Sequence, residues 1–332
     1  MLKELCLLNG TSGREAAVRD YVINQIKDYC EFSVDSLGSV IAYKKGEFEP
    51  EKKIMLCAHI DEVGFIINYI TDDGYLKICP VGGIDPRVVI GRRVSVNGRL
   101  GVIGSKAVHL LSSDEKKKAP SFDKLYVDIG AESREEAEKY AALGDTVYFE
   151  SEYLEFGNGY IKSKALDDRL GCYLLFELIK SDLKYSAYFC FNVQEEVGLR
   201  GAACTAYSVK PDISIVLEAT TAADLDGVSG ADRCCVLGEG PVISFMDRRT
   251  IYDKSLYNAA MECAKANGIK AQTKTRIAGG NDAGAIQTSG KGSRVLAISL
   301  PCRYIHSGAS VVKKNDIEET KKFLKAFMDC IL

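Results

Sequence analysis

The chain lacks most of the features that would narrow its function at once. Only three histidines occur in 332 residues, His59, His109 and His306, so any imidazole-based site must be built from these. No apolar run approaches the ~18 residues needed to cross a bilayer. Residues 1–9 hold a short apolar patch without the layout of a signal peptide, so the expected location is the cytoplasm. Basic residues are not in excess: 43 Lys and Arg stand against 46 Asp and Glu, a net charge of −3. No Lys/Arg cluster is interleaved with aromatics, which argues against nucleic acid as a partner, and nothing points to a membrane. The twelve cysteines form no C-x-x-C pair and are scattered from Cys6 to Cys330. They read as small hydrophobes in a reducing compartment, not as a disulfide framework or a thiolate metal cage. Also absent are H-E-x-x-H, G-x-S-x-G, a phosphate loop and a strand followed by G-x-G-x-x-G. There is no internal repeat or low-complexity segment.

What is present is an ordinary globular composition, 46% hydrophobic and 27% charged. The length exceeds the roughly 100–200 residues of a single domain, so a large core with an added domain is expected. Ser12 and Glu15 have the spacing of a capping box ahead of a helical pattern ending at Ile26. Residues 33–44 predict a hairpin, and 54–58 (IMLCA) a strand buried on both faces. From about 66 to 162 short β-rich pieces alternate with Gly and Asp turns, with one helix near 133–142. This stretch predicts a small β domain inserted into the chain, leaving 1–65 and 163–332 to form the main one. After 163 the chain alternates. Helices are predicted at 166–180, 199–207, 253–267, 282–288 and 315–330, and strands at 185–193, 212–218, 241–246, 271–275 and 293–299. That pattern predicts an α/β fold with a central sheet flanked by helices, whose sites lie at the carboxyl ends of strands.

Acids and histidines gather where the predicted strands stop. In AHIDEVGF (58–65), His59 and Asp61 share a face of an extended chain, and a carboxylate near an imidazole commonly fixes its tautomer. In KALDDR (164–169), Asp167 and Asp168 open a helix. In QEEVGLRGA (194–202), Glu195 and Glu196 follow an apolar strand, Glu218 ends the run ISIVL, and His306 lies beyond LAISLPC. Each has an ordinary explanation alone, such as first-turn acids complementing a helix dipole. Together, two histidines and several carboxylates at the ends of different strands suit two cations sharing a carboxylate bridge.

The set AHIDEVGF, KALDDR, QEEVGLRGA and RYIHS, in this order and spacing, resembles the TET-type dinuclear metallo-aminopeptidases. Glutamyl aminopeptidases and proteins labelled cellulase M or endoglucanase belong to the same group. The phrases VGGIDP (81–86), GVIGSKAVH (101–109), YVDIGA (126–131), GDTVYF (144–149) and AGGNDAGAI (278–286) extend the resemblance over the whole chain. It implies a three-layer sandwich with a mixed sheet and an inserted PDZ-like β domain at about 66–162 that serves dimer and dodecamer assembly. It also implies two divalent ions per chain (zinc, with cobalt or manganese as alternatives). One would be held by His59 and Glu218, the other by Glu196 and His306, with Asp167 bridging. Glu195 would be the general base, Asp61 would orient His59, and Asp168 would follow the bridging acid through a cis peptide. The implied reaction is removal of N-terminal residues from short peptides. His109 reads as structural.

Three positions depart from that pattern: Glu218 stands where Asp is usual, Asn281 where Thr is commoner, and Ser307-Gly308-Ala309-Ser310 where Ser-Pro-x-Glu is usual. The residues alone leave three other readings open. These are another dinuclear hydrolase acting on glycans or N-acyl amino acids, a two-carboxylate glycosidase using Glu195 and Glu196, and a non-catalytic assembly protein.

Overall fold

The computed structural model describes residues 1–331; Leu332, at the end of the second main segment, lies outside the described residues. Its frame is an eight-stranded mixed sheet. In spatial order the strands are Glu31–Val34, Val40–Lys44, Ala187–Asn192, Ile54–His59, Ile213–Thr221, Arg294–Cys302, Val242–Ile243 and Gln272–Thr273. The four central strands are parallel, whereas the hairpin Glu31–Lys44 and the pair Val242–Ile243 with Arg294–Cys302 run antiparallel. Burial explains the apolar runs: every residue of Ile54–His59 is buried, and all but the last of Ile213–Thr221. Helices Leu166–Ile179, Lys254–Ala266 and Lys314–Cys330 pack together on one side, and Arg200–Val209 with Ala283–Ile286 on the other.

In the chain, between strand Ile54–His59 and helix Leu166–Ile179 of this frame, lies a closed six-stranded barrel. Its order is Gly64–Ile70, Leu76–Val81, Tyr126–Asp128, Arg99–Gly104, Arg93–Val96 and Thr146–Phe149, and the pairing Phe65↔Val147 closes it. It has a core of its own, with Phe65, Ile67, Leu76, Val94, Ile103, Val127 and Phe149 at its centre. Leu154–Phe156 and Tyr160–Ser163 are not part of the barrel; they pair with each other and with Ser310–Lys313 in a three-stranded sheet.

Several sequence expectations are corrected by the structure. The second helix runs Ala16–Ile26 with Glu15 at its start, and no capping box forms because the Ser12 hydroxyl is turned toward Asp61. The strands expected at 241–246 and 271–275 shrink to two paired residues each, and the helix expected at 282–288 to Ala283–Ile286. The helix expected near 133–142 is the single turn Arg134–Ala137. His109 is exposed on a short 3-10 turn, so it supports no packed core. All twelve cysteines are free and eight are buried, as small apolar side chains would be. Among the described residues, no helix is long and apolar enough to cross a membrane.

Candidate metal centre and active site

The parallel register sets the first part of the site. Cys57 is level with Val216, so two residues further on His59 and Glu218 stand side by side at the carboxyl ends of adjacent strands. His59 Nε2 lies 3.4 Å from Asp167 Oδ1 and 3.5 Å from Glu218 Oε1. On the far side, His306 Nε2 lies 3.3 Å from Asp167 Oδ2 and 3.4 Å from Glu196 Oε1. The two oxygens of Asp167 therefore face two different imidazoles. Asp167 is joined to Asp168 by a cis peptide bond.

The turns that present these groups carry left-handed backbone at residues other than glycine: Ala165, Gln194, Leu199 and His306 itself. Such conformations persist where surrounding contacts hold them, and they concentrate at functional sites. One set of contacts centres on Asp61, which is fully buried. Its Oδ1 lies 3.3 Å from His59 Nδ1 and accepts the Glu195 N–H at 3.0 Å. Its Oδ2 accepts the Glu196 N–H at 3.1 Å and the Ser12 hydroxyl at 2.6 Å. The other imidazole is held from the barrel side, with His306 Nδ1 2.7 Å from the Gly83 carbonyl oxygen. With Nδ1–H donated there, Nε2 is the nitrogen left to face a cation. Gly82 makes this approach possible: at φ +86° a side chain is strained, and a methyl there would lie 2.7 Å from Val63 and 3.3 Å from the Glu196 Cβ.

Behind the ring lies a second buried charge group. Lys164 Nζ donates to both oxygens of Glu62, at 2.7 and 2.9 Å, and to the carbonyl of Leu8 at 3.0 Å. The Gly10 N–H also donates to Glu62, so residues 8–12 are strapped against the site. Sequence reasoning missed Lys164, Glu62, Ser12 and Gly83 because each acts through a contact distant in the chain. It also assigned no ligand role to Asp168, although donor atoms of His59, Asp168 and Glu218 all lie within 4.8 Å of one another.

Electrostatics mark the ring as a cation site. Burial disfavours charge on His59, but Glu218, Asp167 and Asp61 outweigh it and raise its pKa well above the usual imidazole value. His306 is likewise pushed up to about 10 against the effect of burial, chiefly by Asp167 and Glu196. Burial raises Glu196 to about 7 and Glu195 well above the carboxylate range. Asp167 moves the other way: the two imidazoles overcome its burial and hold it low. Protons are thus shared among crowded acids, a role that a divalent ion fills better. Two further observations fit: Asp167 Oδ1 is buried with no hydrogen-bond partner, and donor atoms of His59, Asp167 and Glu196 also cluster within 4.8 Å. The ring opens on a cleft of about 370 Å³ whose wall includes Glu195.

Residues 38–323 match the M42 glutamyl aminopeptidase family. The chain belongs to that family. It is 33% identical to the glutamyl aminopeptidase of Lactococcus lactis subsp. cremoris, covering 98% of this chain and 94% of that protein. It is 32% identical to the lysyl aminopeptidase of Pyrococcus furiosus over 99% of this chain and 96% of the other. The structure of the Pyrococcus horikoshii TET1 peptidase, described as assembling into a tetrahedron or a large octahedral shell, superposes with a TM-score of 0.86 at 35% identity, covering 98% of each chain. M42 members are metallopeptidases, and the imidazole nitrogens and carboxylate oxygens gathered in this ring have the donor chemistry that a divalent metal ion takes.

The three departures from the family pattern have local explanations. Glu218 reaches the ring with its longer side chain folded back, accepting the N–H of Ala219 at 3.0 Å. Asn281 accepts the Ala283 N–H at 3.0 Å and donates to the Tyr252 hydroxyl at 3.2 Å. In the loop after His306, the Ser307 and Ser310 hydroxyls both donate to the Tyr304 carbonyl, closing the turn on itself.

Proposed function

We propose that this chain is a dinuclear metal-dependent aminopeptidase that removes N-terminal residues from short peptides. The observation that carries the reading is Asp167 offering one oxygen toward His59 and the other toward His306. In this arrangement His59 and Glu218 would hold one ion and Glu196 and His306 the other, with Asp167 shared between them; zinc suits the mixed N/O donor set. When bound, the ions supply a water acidic enough to attack at neutral pH and polarise the scissile carbonyl. Glu195 lines the cleft and its carboxyl group has no hydrogen-bond partner among the described residues; it would take the proton of the attacking water and deliver it to the leaving amine. Its raised pKa matches that double duty. Asp61 keeps His59 in one tautomer and holds the Glu195–Glu196 turn by its backbone.

The same reading assigns residues 66–162 to assembly, with dimers and a dodecamer as the expected states. Its support is the barrel's separate core and its outward apolar side chains, Leu100 and Val108, which are 59% and 70% exposed. The test is metal analysis of the purified protein together with release of p-nitroaniline from aminoacyl anilides. Two ions per chain and exo-cleavage are expected. No release from any anilide by fully metal-loaded protein overturns the reading.

A further inference from the structure

Helices Lys254–Ala266 and Lys314–Cys330 pack together, and a pair of thiols sits where they meet. Cys330 Sγ lies 3.3 Å from Cys263 Sγ, although the two residues are 67 positions apart. The approach follows from side-chain size. The first helix buries the small residues Ala260, Cys263 and Ala264, and the second buries Leu324 and Phe327. Cys330 follows Phe327 by about one helical turn, so it lies over the same face. Asn267 Nδ2 donates to the Cys263 carbonyl at 2.9 Å and lies 3.7 Å from its sulfur, which fixes the end of the first helix.

The two thiols are unequally placed. Cys263 is 4% exposed, and burial together with the neighbouring sulfur pushes its pKa up to about 12. Cys330 is exposed. Burial accounts for Cys263 as for most of the chain's cysteines, but it does not account for an exposed thiol at a helix end. Cys330 is the last residue of its helix. Helix ends fray, so the small movement that would bring the sulfurs into bonding distance costs little there.

We propose that Cys263 and Cys330 are a redox-responsive dithiol, which a low-molecular-weight disulfide closes into a covalent latch between the two helices. The exposed Cys330 thiolate attacks one sulfur of the small disulfide. That S–S bond breaks, a mixed disulfide forms on Cys330, and one small thiolate leaves. Cys263 then loses its proton and attacks Cys330 Sγ, expelling the second small thiolate. Two protein thiols are thereby oxidised, the small disulfide is reduced to two thiols, and the two protons lost by the protein go to them. The bond closes a stretch of chain that includes Asp282 and His306, so the unfolded ensemble loses freedom and the folded state gains stability. Excess small thiol reverses both steps. The latch forms whatever reaction the metal ring carries out.

The test incubates the full chain with excess oxidised glutathione, traps free thiols with N-ethylmaleimide and maps disulfides by peptide mass spectrometry. A bond joining the Cys263 and Cys330 peptides is expected in most molecules. Cys263→Ser should stop at a glutathione adduct on Cys330, and Cys330→Ser should leave Cys263 unmodified. At about pH 6, thiolates are scarce and exchange is slow. There the oxidised wild type should unfold at about 0.5–1 M more urea than its reduced form. Neither variant should show that difference, and dithiothreitol should abolish it in the wild type. Unmodified thiols, an adduct on Cys330 that never resolves in the wild type, or a bond mapped instead to the adjacent Cys234 and Cys235 would each overturn the latch. So would a cross-link that leaves the urea midpoint unmoved.

Discussion

Asp61 holds Glu195 by its backbone: the Asp61 carboxylate accepts the Glu195 N–H at 3.0 Å while the Glu195 side chain is left to face the cleft. The same carboxylate takes the Ser12 hydroxyl at 2.6 Å. Ser12→Ala should therefore loosen the Glu195–Glu196 turn and the His59 tautomer together. The expected loss in kcat is about 10–100-fold, with the fold intact. Full activity in the Ser12→Ala protein would show that Asp61 needs no anchor from the N-terminal strap.

Glu195→Gln and Glu196→Gln separate two roles at adjacent positions. The first should keep both ions and lose on the order of 10²–10⁴-fold in turnover, as removal of a proton carrier does. The second should lose metal, because an amide is a poorer ligand than a carboxylate. Metal content and anilide turnover on the two proteins decide the matter, and a reversed pattern would exchange the assignments.

His59→Ala and His306→Ala should each lose about one ion, and Asp167→Ala both. The imidazoles also set a pH dependence. A metal takes the neutral ring, and both rings have raised pKa values, with His306 at about 10, so metal-free protein holds protons that must leave. Zinc affinity should rise with pH between about 6 and 8, with proton release visible as calorimetric heats that change with the buffer. Heats independent of the buffer would contradict this.

The Lys164–Glu62 pair is 3% exposed on both sides. Glu62→Ala strands a buried ammonium, whose pKa burial already lowers. The expected cost is roughly 3–5 kcal/mol in urea unfolding. Adding Lys164→Met should recover part of it; a single-variant cost below about 1 kcal/mol would mean that water reaches the pair.

For assembly, the doubly substituted Leu100→Glu, Val108→Glu chain places two charges on outward apolar positions of the barrel. Light scattering should report smaller particles than for the unaltered chain. Identical particle mass would move the interface elsewhere.

The main sheet was legible because its central strands are apolar runs that stop abruptly at acids and histidines. The apolar runs of Ile54–His59 and Ile213–Thr221 follow that rule at His59 and Glu218, and Arg294–Cys302 ends four residues before His306. The rule fails for Val242–Ile243 and Gln272–Thr273, the last two strands on that side of the sheet, where pairing covers only two residues of each and stops short of the apolar pattern. The ring residues were readable through family motifs, but their supports were not. Ser12 carries a perfectly good capping signal and spends its hydroxyl on a residue 49 positions away. Nothing local marks Gly83 or Lys164 either, since hydrogen bonds to distant carbonyls and carboxylates leave no periodicity. Closure of the barrel depends on the pairing of Gly64–Ile70 with Thr146–Phe149, which no spacing announces.

The contact between Gly83 and His306 has a structural cost and a use. The imidazole that completes the ring takes its orientation from a carbonyl carried by the loop after Leu76–Val81, a barrel strand. A trimmed sandwich would keep every carboxylate of the ring yet leave this histidine free to present the wrong nitrogen. A cation seated on this ring would therefore be linked to the seating of the barrel on the sheet: a clamp on the barrel would tighten the ion, and the ion would in turn hold the barrel.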